Sequence, residues 1–175
     1  MHTLLRDCYA SDVPTKIALS RQLHERFGPH LEADAKFRGI LAEMVQLVVD
    51  LDEVMRGMQL FVLCGACGSQ PSGGCCSAEM ANETDAILLW MNLLAGRQVT
   101  AVRDDGFECC FLGTAGCSLL FKPMFCLNYN CEKIKKGSGL EKMRQLEQGG
   151  GRLLQAQYAM EQFIHGILGA SLQGR

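Results

Sequence analysis

No apolar stretch of this chain comes near the roughly 20 residues that a helix needs to cross a bilayer. The longest covers residues 86–91, so no membrane partner is expected. An excess of one charge is missing too. The 17 lysines and arginines stand against 19 acids, for a net charge of −2 at pH 7. Affinity for nucleic acid rests on cationic side chains that neutralise phosphates, and no nucleic-acid partner is expected. The one basic run, at 133–136, holds three lysines and reads as a solvated loop. Residues 1–10 lack the apolar run of a signal peptide and carry the charged pair Arg6-Asp7, which points to the cytoplasm. Histidine is scarce: His2, His24, His30 and His165 are scattered, and their placement is read as structural. No nucleotide-type glycine motif offers a methyl-donor site, and Asp104-Asp105 reads as a turn.

Cysteine is what the chain has in abundance. Nine of its ten fall between Cys64 and Cys131: Cys64, Cys67, Cys75, Cys76, Cys109, Cys110, Cys117, Cys126 and Cys131. This stretch holds a C-x2-C, two adjacent Cys-Cys pairs and a C-x4-C. Sulfur ligands at such density can surround zinc or an iron–sulfur cluster. Disulfides are the competing explanation, but they staple small secreted domains that lack a core. A chain of 175 residues, 48% hydrophobic, can bury a core of its own. Cys8 stands apart and reads as a small buried hydrophobe.

The elements around the cysteines read as helical. Pro14 suits a first helical turn after Ser11 or Asp12, and Gly28-Pro29 punctuates the end of that helix. A second helix places Phe37, Ile40, Leu41, Met44, Leu47, Val48, Leu51, Met55 and Met58 at spacings of three and four, with the methionines as core filling. Gly-rich residues 68–74 form a ligand loop. Asn82 or Thr84 caps a buried helix that runs to about Ala95, with Gly96 at its end. Residues 98–111 read as a short hairpin turning at Asp105-Gly106 and presenting Cys109 and Cys110. Ser138 and Glu141 have capping-box spacing ahead of a stripe made of Met143, Leu146, Leu153, Met160, Ile164 and Ile167. Gly149, Gly150 and Gly151 cost about 1 kcal/mol each in a helix interior and predict a break or kink there. The sequence therefore predicts a single mainly α domain. Residues 1–59 form N-terminal helices, 60–132 a cysteine-rich metal-binding centre with a short β-hairpin, and 138–170 a C-terminal helix or helix pair.

The run from Cys110, CFLGTAGCSLLFKPMFCLNYNC, resembles the C-terminal signature of the YkgJ-type zinc- or iron-chelating cysteine-cluster family. Cys110, Cys117, Cys126 and Cys131 fill its cysteine positions, and Lys122-Pro123 stands where those proteins usually have Arg-Pro. Upstream, CGACGSQPSGGCC resembles their C-x2-C-x2-CC box through Cys64, Cys67, Cys75 and Cys76. Seven residues separate Cys67 from Cys75 in place of the family's short spacer, and Leu127 replaces the arginine that commonly follows the Cys126 position. The resemblance covers about residues 60 to 132. It implies eight thiolate ligands and zinc or an iron–sulfur cluster as cofactor; Cys109 reads as the spare thiol, and Tyr129, between Cys126 and Cys131, as packed against the site. A group of flagellin lysine methylases shares the cysteine arrangement. The rival expectations are therefore an iron–sulfur enzyme or electron-transfer component acting on a protein, and an interaction module with purely structural zinc. No substrate, reaction or oligomeric state follows.

Overall fold

The computed structural model describes residues 2–68, 74–114 and 116–173. It is mainly helical, with one two-stranded antiparallel sheet among the described residues. No helix among them is long and apolar enough to cross a membrane.

After α1 (His2–Ala10), the chain re-enters helix at Asp12, whose carboxylate accepts from the Thr15 amide at 2.9 Å. Pro14 sits in the first turn of α2 (Val13–Ala33), where a missing N–H costs nothing. The helix does not stop at Gly28-Pro29, where the sequence predicts its end. It continues to Asp34 because packing outweighs the one backbone bond that Pro29 removes: Leu23 and Leu31 are buried on either side of it. Asp34 then serves two helices. Its amide donates to Leu31 O at 3.0 Å, closing α2. Its side chain accepts from Phe37 N at 2.9 Å, opening α3 (Ala35–Gly57). The predicted stripe of α3 is the one buried, through Phe37, Met44, Val48 and Leu51.

Gln59, at φ 56° in the left-handed region, turns the chain into α4 (Leu60–Gly68). The first cysteine pair thus lies on a helix. The glycine-rich ligand loop that follows lies, at residues 69–73, outside the described residues. Next come α5 (Ala78–Asn82) and α6 (Ala86–Leu94). The cap of α6 is Asp85, not Asn82 or Thr84: its Oδ1 accepts from Leu88 N at 2.7 Å. Thr84 is occupied closing the preceding turn, donating its hydroxyl to Ala81 O at 2.6 Å. As expected, α6 is buried nearly all round, and Gly96 follows it at φ 74°.

The predicted hairpin at 98–111 does not form a ladder. Its turn exists, with Asp105 Oδ1 accepting from Phe107 N and Glu108 N, both at 2.9 Å. Its arms share one backbone bond, Val102 N to Cys110 O at 2.8 Å, while the return segment also pairs with the other cysteine segment, Ser77 bridging Glu108. The strands lie just beyond, as β1 (Leu112–Gly113) and β2 (Gly116–Cys117), in register Leu112 opposite Cys117. Two short helices follow, α7 (Met124–Asn128) and α8 (Glu132–Gly137). The basic run 133–136 is therefore helical and not a loop.

The last helix, α9 (Leu140–Gln173), is continuous through the three glycines. Its first helical bond goes from Met143 N to Gly139 O, one residue past the expected Ser138 cap. Glu141 accepts from Gln145 instead. The glycines mark close approach and not a break. A Cβ at Gly149 would lie 3.0 Å from Leu51 Cδ1, and one at Gly150 would lie 3.1 Å from Leu127 O. Without those two side chains α9 seats against α3 and α7, and the burial gained exceeds the propensity lost.

The larger core joins α2, α3, α6 and α9 around Trp90, Phe37, Met44, Leu153 and Ile164. A smaller core of Ile17, Ala81, Leu89, Val99, Phe111 and Leu119 underlies Cys109 and Cys110.

Candidate metal centre

Backbone pairing brings two cysteine segments together. Cys109 N donates to Cys76 O at 2.8 Å, and Ala78 N donates to Phe107 O at 2.9 Å, so 76–78 runs antiparallel to 107–109. Arg103, paired with Glu108 and Asp105, steadies the outer side of this turn. Leu112 N then turns back onto Cys109 O at 2.8 Å, and the β1–β2 pairing sets Cys117 beside the same region. Phe111, fully buried, anchors that hairpin to the smaller core.

The path from Cys117 to Cys126 is held by two buried side chains, Gln157, whose Nε2 donates to Lys122 O at 3.0 Å, and Asn92. Asn92 Nδ2 donates to Leu88 O and Phe121 O, while its Oδ1 accepts from Leu120 N at 2.7 Å and Phe121 N at 3.0 Å. Segment 120–121 is thereby clamped to α6, and α7 follows with Cys126.

The result is a shared thiol neighbourhood. Cys126 lies within electrostatic range of Cys75, Cys76, Cys109 and Cys117, Cys76 also of Cys75 and Cys109, Cys109 also of Cys117, and Cys110 of Cys109 and Cys117. Cys75, Cys117 and Cys126 are exposed, whereas Cys76, Cys109 and Cys110 are half-buried. Crowding around the sulfurs strips away water and favours the neutral thiol. Loss of hydration, reinforced by neighbouring thiols, pushes Cys110 up to about 11 and Cys126 up to about 12. Cys109 and Cys117 are raised for the same first reason. Cys76 donates its S–H to Cys75, which raises Cys76 and lowers Cys75. Lys122 faces Cys117 and Cys126, and Arg103 faces Cys109; both favour the thiolate.

In kind, the donors suit a soft or borderline ion. In spacing, no three His, Cys, Asp or Glu groups among the described residues stand close enough to hold an ion as they lie. Cys64 is exposed on α4, a helix whose Phe61 ring lies 3.9 Å from where a Gly116 Cβ would be, next to Cys117. The Cys67 side chain lies outside the described residues. Cys131 opens α8 and packs half-buried against the larger core. Cys8 is wholly buried, and burial pushes its thiol to about 11, in line with its reading as a core residue.

Tyr129, at the end of the single turn of α7, is 58% exposed. Cys109, set aside as a spare, has its amide tied to Cys76 O at 2.8 Å. The signal available for Cys109 was its place directly after the Asp105 turn. Sequence reasoning also missed a second constellation: the Tyr9 hydroxyl donates to Glu161 and meets His165 Nε2 at 2.8 Å. Glu161 and His165 are one helical turn apart on α9, a spacing visible in the sequence. No family model, curated protein or solved structure matches the chain.

Proposed function

We propose that this is a metal-binding protein of the YkgJ-like class, coordinating zinc or an iron–sulfur cluster through its clustered thiolates. One observation carries the reading: thiols from separate segments, at Cys75-Cys76, Cys109-Cys110, Cys117 and Cys126, share one neighbourhood held by backbone bonds and by the Asn92 clamp. Of these thiols Cys76, Cys109, Cys110, Cys117 and Cys126 are raised and hold their protons at neutral pH. An ion that displaces their protons supplies the missing partner and couples binding to local folding. Side-chain rearrangement would be needed to complete the set, with Cys64 contributed from α4, the helix whose Phe61 lies against the strand that carries Cys117. A reducing compartment such as the cytoplasm keeps these thiols available.

The test is metal and acid-labile sulfide analysis of protein purified without oxygen. Bound zinc, or iron with sulfide, is expected. Serine at Cys76, Cys117 or Cys126 lowers the content, and serine at Cys8 does not. Less than about 0.2 equivalents of zinc plus iron, with all thiols titratable, overturns the reading.

A further inference from the structure

We infer that Cys76 and Cys109 form a disulfide pair, which a low-molecular-weight disulfide such as oxidised glutathione closes into a cross-strand bond joining segment 76–78 to segment 107–109. No metal ion takes part, so the pair stands apart from the metal-binding reading. The register of the two segments sets it up. Ser77 is bridged antiparallel to Glu108, Cys109 N donates to Cys76 O at 2.8 Å, and Ala78 N donates to Phe107 O at 2.9 Å. Cys76 therefore stands directly opposite Cys109, with both side chains on the same face of the pairing. Opposed residues that share such a backbone bond have Cα atoms about 5.5 Å apart, within the roughly 4.4–6.8 Å that a disulfide spans. Both are free, half-buried thiols, and the Cys109 sulfur is near enough to act electrostatically on Cys76. The other thiols are less well matched. Cys117 is opposite Leu112 and not a cysteine. Cys75 accepts the S–H of Cys76, but a bond between adjacent cysteines closes a small ring around a planar trans peptide and strains both. Closed, the Cys76–Cys109 bond turns a contact held by backbone hydrogen bonds into a covalent clasp, and reduced glutathione reopens it.

The closure takes two balanced steps. One cysteine of the pair, as thiolate, attacks a sulfur of oxidised glutathione. A cysteine–glutathione bond forms, the glutathione S–S bond breaks, and the departing glutathione takes up the proton that the cysteine released. The opposed cysteine then attacks the cysteine sulfur of this mixed disulfide. The Cys76–Cys109 bond forms, and the second glutathione leaves as a thiol with the second proton. Two electrons pass from the cysteine pair to the glutathione disulfide, and two molecules of reduced glutathione reverse both steps.

The experiment uses the full chain, reduced and kept in chelator without oxygen, equilibrated at a fixed concentration of oxidised glutathione while reduced glutathione is varied. Free thiols are then alkylated, and the linked peptides are sequenced by mass spectrometry. The expected result is a bond between Cys76 and Cys109 whose oxidised-to-reduced ratio rises about a hundredfold for a tenfold fall in reduced glutathione, because closure releases two molecules of it. Cys76→Ser and Cys109→Ser each abolish that bond. A ratio that rises only about tenfold reports a mixed disulfide that never closes, and overturns the pair. A bond from Cys75 to Cys76, or from Cys109 to any other cysteine, overturns it as well. Because chelator is present throughout, a chain that binds no metal still closes the bond, and one that binds metal but never closes it overturns the pair alone.

Discussion

Alanine substitutions at Gly150 and Gly151 should move stability in opposite directions, although the two residues are neighbours on one helix. In a helix interior, alanine is favoured over glycine by about 0.8–1 kcal/mol. At Gly151 nothing lies within 4 Å of the added methyl, so Gly151→Ala should keep that gain. At Gly150 the methyl would stand 3.1 Å from the backbone oxygen of Leu127. Overpacking against a fixed group costs about 1–3 kcal/mol. The obstacle is main chain and α7 has only a single turn, so relief requires α7 to move bodily. The expected difference between the two variants is roughly 2 kcal/mol, or about 4–8 °C in melting temperature for a chain of this size. Gly149→Ala is the intermediate case, since it meets a methyl of Leu51 at 3.0 Å that can swing aside. Urea and thermal unfolding measure all three. Because α7 carries Cys126, Gly150→Ala should also alter the rate at which that thiol reacts with a disulfide reagent. Equal stabilisation by Gly150→Ala and Gly151→Ala would refute the close-approach account of the glycines.

Asn92→Leu removes a wholly buried side chain that serves two amides and two carbonyls. It should cost about 3 kcal/mol in urea unfolding, and a loss below about 1 kcal/mol would contradict the clamp. Asp85 is raised chiefly by burial, so its ionised form is disfavoured in the fold. The penalty is present near pH 7 and disappears as pH falls through its raised folded pKa. Asp85→Asn keeps the capping oxygen and should stabilise the chain at pH 7 but not in acid; equal destabilisation at both would count against it. On the metal-binding reading, removing the metal should speed exchange of the Cys109 amide, bonded to Cys76, at least about tenfold while the Leu120 amide, bonded to Asn92, is unchanged. Mass-spectrometric hydrogen exchange separates these segments, and parallel loss of protection at both would refute a clamp that acts without metal.

Periodic apolar spacing made α3 and α6 legible before any coordinates, because burial of one face is written in the residues of the helix itself. Their caps were less legible. Asn82, Thr84 and Asp85 all lie within four positions, and only the preceding turn decides that Thr84 is spent on Ala81 while Asp85 is left for Leu88. Pro29 and the glycines of α9 were misread for a common reason. Propensity prices a residue by its local conformational cost, whereas Leu31 beside Pro29, and Leu51 and Leu127 against α9, come from packing that local sequence does not display. The hairpin was placed one turn too early because Asp105-Gly106 is a sound turn signal. The returning segment makes a single backbone bond to the strand-like run at 99–102, from Val102 N to Cys110 O, and is otherwise held by the distant Cys76–Ser77.

The same asymmetry governs the thiols. Sequence spacing counts cysteines along the chain, and on that count Cys131 belongs with Cys126 while Cys109 is surplus to Cys110. Three-dimensional position depends on what holds each backbone. Cys109 is drawn to Cys76 by a main-chain bond that any residue type could make, and Cys131 is carried toward the larger core by the start of α8. The Asn92 clamp and the Gly150 contact fix the segment between Cys117 and Cys126 with groups that are not sulfur ligands. On the proposed reading, that side of the centre is preorganised before any ion arrives, so less of the binding free energy is spent on ordering it. The Cys75–Cys76 side, anchored mainly through Cys109 and Phe107, is then the side whose order depends on the ion.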